Sequence, residues 1–195
     1  MDQYRVKLTF VEPLLGTVAL DAEMYETYIL SRHPELAVGE GTDELETIEE
    51  ALEKGTTGFH RENGAPIIYD YAVKGFFKDA CGMMRRVPKS GSEKLKAYKK
   101  VIDGLVFVTP RRIPLVLSGE IDILTRPLRA QTAQGERIAL SRSEMAPVGT
   151  TMEFELTVLG EVSEALLREW LDYGALRGLG QWRNGGWGAF RYELA

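Results

Sequence analysis

Alternating apolar and polar residues mark four segments of this chain, and two further segments between them carry apolar residues at helical spacing. The alternating segments are residues 6–10, 115–123, 152–158 and 190–194. Successive side chains of a strand point to opposite faces, so this pattern predicts half-buried strands. An apolar run at residues 105–108 predicts an extra strand, which Pro110 interrupts.

Two helices are predicted to pack on these strands. Residues 70–86 carry one apolar stripe and residues 163–173 another, the second ending at Gly174. Asp70 stands where an N-cap is expected. The resulting order of strand, helix, strand, strand, helix, strand predicts an α+β, ferredoxin-like βαββαβ fold of the RRM-like kind.

A single domain spanning residues 1–195 is expected to contain two long insertions. The first, residues 13–69, follows the first strand and includes a short acidic helix predicted from Asp43 to Lys54. The second, residues 125–149, is expected as a basic loop between the central strands. Insertions of this length usually carry function or contain small elements of their own.

Charge is unevenly distributed along the chain, although the net charge is only −5. Residues 1–60 contain four Lys or Arg and thirteen Asp or Glu, whereas residues 85–142 contain thirteen basic and five acidic residues. This asymmetry predicts a basic working face, and the acidic part of one copy could equally meet the basic part of a neighbour.

A glycine-rich loop precedes the last strand. Gly185, Gly186 and Gly188 lie close to Trp182 and Arg183 in it. Glycines this dense predict a backbone whose amides are bare and accessible to a phosphate chain, while tryptophan and arginine suit a charged, stackable ligand. A tight turn leading into the last strand explains the same glycines without any ligand.

The cysteine count and the lengths of the apolar runs restrict the class of protein further. Cys81 is the only cysteine, so neither an internal disulfide framework nor a cysteine zinc site can form, and we expect no metal and no cofactor. No stretch approaches the roughly 20 apolar residues of a membrane helix. These features predict a soluble cytoplasmic protein without a membrane partner.

Four motifs, taken in order, resemble those of the RAMP superfamily of ferredoxin-like RNA-binding proteins, and especially the backbone subunits of CRISPR effector complexes. They are the first strand with Pro13 and Gly16, the stretch 64–75 that opens the first helix, the arginine-containing segment 126–154, and the glycine loop 178–188. The chain departs from the family pattern at residues 69–72, where Tyr-Asp-Tyr-Ala replaces small hydroxyl residues.

The resemblance implies single-stranded, guide-like RNA as a partner, together with other subunits of an antiviral ribonucleoprotein complex or copies of the chain itself. The chain would be a divergent or phage-encoded member. Residues expected to contact the RNA backbone are Lys74, Lys78, Arg85, Arg126, Arg129, Arg183, Gly185, Gly186 and Gly188. Trp182 or Tyr71 is expected to stack on a base.

Two other functions fit the same residues. A metal-independent endoribonuclease would need a poised acid or base, for which His60 and Asp43 are candidates, with His33 and Asp70 less well placed. An assembly protein that retains the fold without binding RNA is the other hypothesis, with the acidic insertion docking on a neighbour's basic segment.

Overall fold

The computed structural model describes residues 1–20, 56–132 and 135–195, and the side chains of 128–140 are not described. The acidic helix predicted from Asp43 to Lys54, His33 and Asp43 lie outside the described residues. The chain divides into two compact units. The first comprises Met1–Leu15, His60–Ile121 and Ala146–Ala195, and the second comprises the described parts of Gly16–Phe59 and Asp122–Met145.

The described strands and helices form an α+β arrangement, in which runs of strands are separated by helices. The strands are β1 (Asp2–Phe10), β2 (Leu14–Leu15), β3 (Val18–Ala19), β4 (Thr56–Gly58), β5 (His60–Glu62), β6 (Ala65–Tyr69), β7 (Val106–Thr109), β8 (Arg112–Val116), β9 (Asp122–Thr132), β10 (Gly135–Ala146), β11 (Thr151–Val158) and β12 (Phe190–Leu194). The helices are α1 (Asp70–Met84), α2 (Tyr98–Leu105) and α3 (Glu164–Arg177).

One antiparallel sheet organises the first unit, with the strand order β12-β1-β11-β8-β6-β5. Strand β7 pairs with β11 beside β8, so the two strands on either side of Pro110 share one edge of β11. The register places Val6 opposite Phe154 and Leu194. Polar residues of β1 and β11 therefore lie on the opposite face from this apolar row.

Helices α1 and α3 cover the apolar face of the sheet. Phe77 of α1 lies 5.6 Å from Trp170 of α3 between ring centroids, and Phe76 lies 5.8 Å from Phe190 of β12. Phe77, Trp170 and Phe190 are almost fully buried. Full burial of each such side chain contributes about 1.5–3 kcal/mol to folding, so this aromatic cluster is the centre of the core.

Helix α3 is longer than predicted because Gly174 does not end it. The helix continues to Arg177 and is terminated at Gly178, whose φ is 85°. A Cβ on Gly174 would lie 2.2 Å from Phe76 Cζ. Gly174 is therefore required for close packing of α3 on α1, whereas Gly178 supplies the positive φ at which the helix ends.

Other sequence predictions need correction. Helix α1 begins at Asp70 with Tyr69 as its N-cap, so Asp70 is not the cap. The predicted strand 115–123 ends at Val116, and Asp122 begins the separate strand β9. Helix α2 has no counterpart among the predicted elements, although its apolar positions lie at helical spacing. The extra strand before Pro110 is confirmed as β7.

Both predicted insertions contain strands. Residues 125–149, expected as a basic loop, are largely the antiparallel strands β9 and β10 of the second unit. In the first insertion, β5 and β6 form a hairpin whose turn residues Asn63 and Gly64 have φ of 51° and 83°. Asn-Gly is the preferred sequence for such a turn, and this signal is visible in the sequence.

Candidate nucleic-acid interface

Three of the predicted RNA contacts, Lys74, Lys78 and Arg85, form a basic flank of α1 where this helix meets α2. Lys78 Nζ is 2.8 Å from Asp103 Oδ1, and Lys74 Nζ donates a hydrogen bond of 3.2 Å to the carbonyl oxygen of Asp103. Arg85 lies over the ring of Tyr98, with 5.1 Å between its Cζ and the ring centroid. The structure therefore brings these three cations together along one flank.

A larger group of cations continues from this flank into α2. We call this group the basic segment, and it comprises Arg85, Arg86, Lys89, Lys94, Lys96, Lys99 and Lys100, all of them exposed. Glu93 is the one acidic residue within residues 85–100. Within the described ranges, no carboxylate forms an ion pair with Lys94, Lys96, Lys99 or Lys100.

Sequence reasoning missed most of the basic segment as a site. Only Arg85 of its seven members was among the predicted RNA contacts. The sequence signal for this segment is the mixture of apolar residues and lysines in residues 94–102. In the structure Leu95 and Ile102 are buried, while the lysines between them are exposed. This is the pattern of an amphipathic surface segment.

The glycine loop does not present bare amides at its predicted phosphate-binding glycines. Gly185 N donates to Trp182 O at 2.8 Å, Gly186 N to Arg183 O at 3.0 Å, and Gly188 N to Pro13 O at 2.9 Å. The prediction that these amides are bare is wrong. The physical reason is that a short 3-10 turn uses the first two amides within the loop, while Pro13, near the end of the first strand, accepts from the third.

Close packing explains one of these glycines directly. A Cβ on Gly188 would lie 1.9 Å from the carbonyl oxygen of Leu179, at a φ of 72°. Gly186 has a φ of 86° with open space around it, so it is needed for conformation alone. Asn184, Gly185 and Gly186 form the exposed tip, and Trp182 and Trp187 on either side are half-buried.

Arg183 contacts α1 from a different side than the lysines do. Its Nη1 lies 2.9 Å from Asp79 Oδ2, and Arg177 Nε lies 3.8 Å from the same oxygen. Asp79 and Lys78 are consecutive on the helix and diverge by about 100° around its axis. The glycine loop and the basic flank therefore occupy separate sides of α1.

Arg126 and Arg129 belong to β9 of the second unit, where they pair in register with Ser141 and Ile138. Arg126 is half-buried and engaged in interactions of its own. The side chain of Arg129 is outside the described part of the chain.

An aromatic cluster surrounds the start of α1. The rings of Tyr69 and Tyr71 are stacked, 5.2 Å between centroids and 12° between planes, and His60 meets Tyr69 edge-on at 4.7 Å. Tyr71 Oη lies 3.4 Å from His60 Nε2. Burial lowers the pKa of His60, which favours its neutral form. Asp70, beside this cluster, donates its backbone N–H to Arg111 O.

The polar face of the sheet is electrically balanced. Across β1 and β11, Arg5 Nη2 is 3.5 Å from Glu155 Oε1 and Lys7 Nζ is 3.2 Å from Glu153 Oε1. Cations matched one to one by carboxylates have little net attraction for phosphate. This face is therefore a weaker candidate for a nucleic-acid interface than the basic segment.

The described residues contain no group of three or more His, Cys, Asp or Glu side chains placed to hold a metal ion. None of their helices combines the length and apolarity needed to cross a membrane.

Comparison with known proteins shows similarity of fold only. No protein-family model and no curated protein matches this sequence. A chain in the cryo-EM structure of Type III-B Cmr-beta bound to cognate target RNA is similar, with a TM-score of 0.53 and 14% identity. The match covers 98% of this chain and 60% of that chain, so this chain spans about three fifths of its neighbour's length.

A chain of a Type IV-B CRISPR complex has a TM-score of 0.46 and 11% identity, with coverage of 100% of this chain and 90% of that one. The first likeness agrees with the α+β fold predicted from the sequence.

Proposed function

We propose that this chain is a divergent RAMP-type subunit that binds single-stranded RNA within a CRISPR-type ribonucleoprotein complex. The sheet order supports the ferredoxin-like part of this proposal. Taking β7 and β8 together as the second strand, the order β12-β1-β11-β8 is fourth, first, third, second, with α1 and α3 as the two crossover helices. This is the arrangement of a βαββαβ unit.

The observation that carries the proposal is the basic segment. It places seven exposed cations within sixteen residues, and four of its lysines have no carboxylate partner among the described residues. Cations of this kind neutralise phosphates and release counterions, which gives affinity without base sequence preference. Lys74 and Lys78 extend the same surface along α1.

The fold neighbour supports the choice of RNA and of a multi-subunit setting. The matched chain belongs to a Type III-B assembly bound to target RNA. We extend this context to the present chain as part of the proposal, with other subunits as its protein partners. Arg126 and Arg129 of the second unit are proposed to add phosphate contacts.

His60 gives little support to the endoribonuclease hypothesis. In the described part of the chain its Nε2 faces the hydroxyl of Tyr71, and its ring packs on Tyr69. General acid–base cleavage needs a group within hydrogen-bonding reach of the scissile phosphate. A histidine held edge-on against Tyr69, with its Nε2 at the hydroxyl of Tyr71, instead supports an aromatic surface.

A matched pair of double variants tests the proposal. Lys99→Ala with Lys100→Ala removes two cations from the basic segment, whereas Arg5→Ala with Lys7→Ala removes two from the balanced sheet face. Fluorescence anisotropy with several unrelated single-stranded RNAs, over a range of salt concentrations, gives affinities and salt slopes.

We expect the first double variant to lose affinity by a similar factor for every RNA. Its slope of log K against log salt should become shallower by about 1.4, because each single-strand phosphate contact contributes about 0.7. The sheet-face variant should retain both affinity and slope. Equal behaviour of the two variants, or no RNA binding by the wild type, would overturn the proposal.

A further inference from the structure

We propose that strand β12 pairs with β12 of a second copy of this chain, antiparallel and centred on Tyr192, so that the two sheets join into one. This interface uses residues other than those of the basic segment. The proposal therefore goes beyond RNA binding and does not depend on it.

The outer edge of β12 has free backbone groups. β12 is the first strand in the order of its sheet and is paired on one side only, with β1. Arg5 and Ala195 exchange two backbone hydrogen bonds, so the backbone groups of every second residue from Ala195 face β1. Those of Phe190, Tyr192 and Leu194 face outwards. Among the described residues, no acceptor is found for their N–H groups.

Neighbouring groups limit the free edge to residues 190–194. Leu179 N donates to Gly188 O at 3.0 Å, so the glycine loop occupies the edge just before β12. At the other end, Arg168 Nη2 lies 3.4 Å from Leu194 O, an oxygen whose second lone pair can still accept. Tyr192 is the middle residue of this stretch. An unpaired edge of this kind is a template for another strand.

The side chains on either side of Tyr192 are complementary to a second copy. Arg191 and Glu193 are both exposed on the polar face of the sheet, and neither forms an ion pair within the described ranges. In antiparallel pairing centred on Tyr192, Arg191 of each copy lies directly opposite Glu193 of the other. The two residues then form a non-hydrogen-bonded pair, in which side chains approach most closely. Opposite charges in such a pair stabilise strand pairing.

The same charges select this register over others. Parallel pairing in register would place Arg191 opposite Arg191 of the second copy, and like charges directly opposite each other destabilise a sheet. Antiparallel pairing centred on Phe190 or Leu194 would leave both charges without an opposite partner. The favoured arrangement is two-fold symmetric and buries the same edge on each copy, so it closes at a dimer.

Apolar residues on the helix side of the sheet support the same arrangement. Phe190 of each copy would lie opposite Leu194 of the other. Tyr192 Oη donates to Asp172 Oδ1 at 2.6 Å, which places this side of α3 beside the edge. Leu176 follows Asp172 by one turn, within about 40° around the helix axis, and is 84% exposed. The two-fold axis brings the second copy's α3 to the same side, where contact with Leu176 would bury apolar area.

Charge exchange between the two positions tests the pairing. Sedimentation velocity of the full chain, over a range of protein concentrations and without nucleic acid, gives the dimer dissociation constant. The variants are Arg191→Glu, Glu193→Arg and the double variant with both changes. Circular dichroism and urea unfolding verify that each variant folds.

We expect each single variant to weaken dimerisation by about tenfold or more, because both cross-strand pairs become like-charged. The double variant should restore it, since opposite charges face each other again. An equimolar mixture of the two single variants should also form a dimer, which a variant that had lost its fold could not do.

Hydrogen exchange identifies the edge itself. The amides of Tyr192 and Leu194 should exchange more slowly as the protein concentration rises, because each donates to the second copy only in the dimer. The amides of Arg191 and Glu193, which donate to β1, should change little.

Several results would overturn the proposal. A wild type that remains monomeric at every concentration rejects the dimer. A dimer that persists in both single variants, or that leaves the Tyr192 amide unprotected, forms through another surface. Loss in the single variants without recovery in either the double variant or the mixture rejects the charge pairing. None of these outcomes bears on the RNA affinity of the basic segment, so the proposed function is tested separately.

Discussion

Glu169 of α3 holds Ser92 in the loop between α1 and α2. Glu169 Oε1 accepts hydrogen bonds from the Ser92 hydroxyl at 2.5 Å and from Ser92 N at 3.1 Å, while Oε2 accepts from Gly91 N at 2.6 Å. The Ser92 hydroxyl in turn accepts from Trp170 Nε1 at 2.8 Å. One carboxylate thus fixes the loop that carries Lys89, Lys94 and Lys96 to the core.

Ser92→Ala should destabilise the protein by about 1–3 kcal/mol. The change leaves Trp170 Nε1 buried without its acceptor and removes one of the donors to Glu169, and an unsatisfied buried polar group costs about this much. Ser118→Ala, which removes an exposed hydrogen bond to Val148 O, should cost less than about 1 kcal/mol. Urea unfolding measures both, and equal midpoints would contradict the role of Ser92.

Gly174→Ala and Gly75→Ala should have opposite effects, although both glycines lie within helices. A Cβ at Gly174 would overlap Phe76 and Phe190, whereas a Cβ at Gly75 meets nothing within 4 Å. We expect Gly174→Ala to cost about 1–3 kcal/mol or more, and Gly75→Ala to add about 0.5–1 kcal/mol of stability. Thermal unfolding of both variants decides this, and stabilisation by Gly174→Ala would refute the packing.

Asp103→Asn should strengthen RNA binding. Asp103 is the only carboxylate of α2, and it lies against Lys78 at the edge of the basic segment. Removing its charge should raise affinity about two- to fivefold at low salt and less at high salt, because exposed charges are screened. Glu193→Gln on the balanced sheet face is the control and should change little. Weaker binding by Asp103→Asn would count against this surface.

Arg183→Ala should lower stability without lowering RNA affinity. Arg183 pairs with Asp79 in a partly buried contact, so its loss should cost about 1 kcal/mol. The same variant should bind RNA like the wild type, since the arginine is committed to α1 on the side away from the basic segment. Anisotropy and urea unfolding on one preparation separate the two effects. A large loss of RNA affinity with unchanged stability would show instead that Arg183 contacts the RNA.

His60 should titrate below its usual pKa of about 6.5. Because burial lowers the folded-state pKa, the unfolded chain binds more protons in the interval between that value and 6.5. The contribution of His60 to stability is therefore present above 6.5 and is lost as pH falls through the folded-state pKa.

Proton NMR of the histidine ring, assigned with His60→Gln, measures this pKa. Tyr71→Ala exposes the imidazole and should move the pKa back towards 6.5. A wild-type value at or above 6.5 would contradict the buried environment.

The main elements of the fold were predictable because each carries its own periodicity. β1, β11 and β12 follow their alternating segments, and α1 follows its apolar stripe, since side-chain direction repeats with backbone geometry. The end of α3 was not predictable in this way. Gly174 and Gly178 are equally plausible helix ends in sequence, and only the position of Phe76 against Gly174 distinguishes them.

The candidate site was predicted in part. The spacing of Lys74, Lys78 and Arg85 places them on one flank of α1, as the structure shows. Their partners, Asp103 and Tyr98, come from a helix that sequence reasoning did not find. The glycine amides were misjudged because a backbone donor is available to a ligand only if no internal carbonyl reaches it, and that depends on how the loop closes.

By itself, the amino-acid sequence determined the strands β1, β11 and β12, the presence of helices α1 and α3, and the uneven distribution of charge. Periodicity and composition are local properties, so they can be read from the sequence without knowledge of the fold. Tertiary structure decided which cations are matched by carboxylates, which amides are used internally, and which aromatic ring remains exposed. Those properties depend on distances between residues far apart in the chain, and only packing sets such distances.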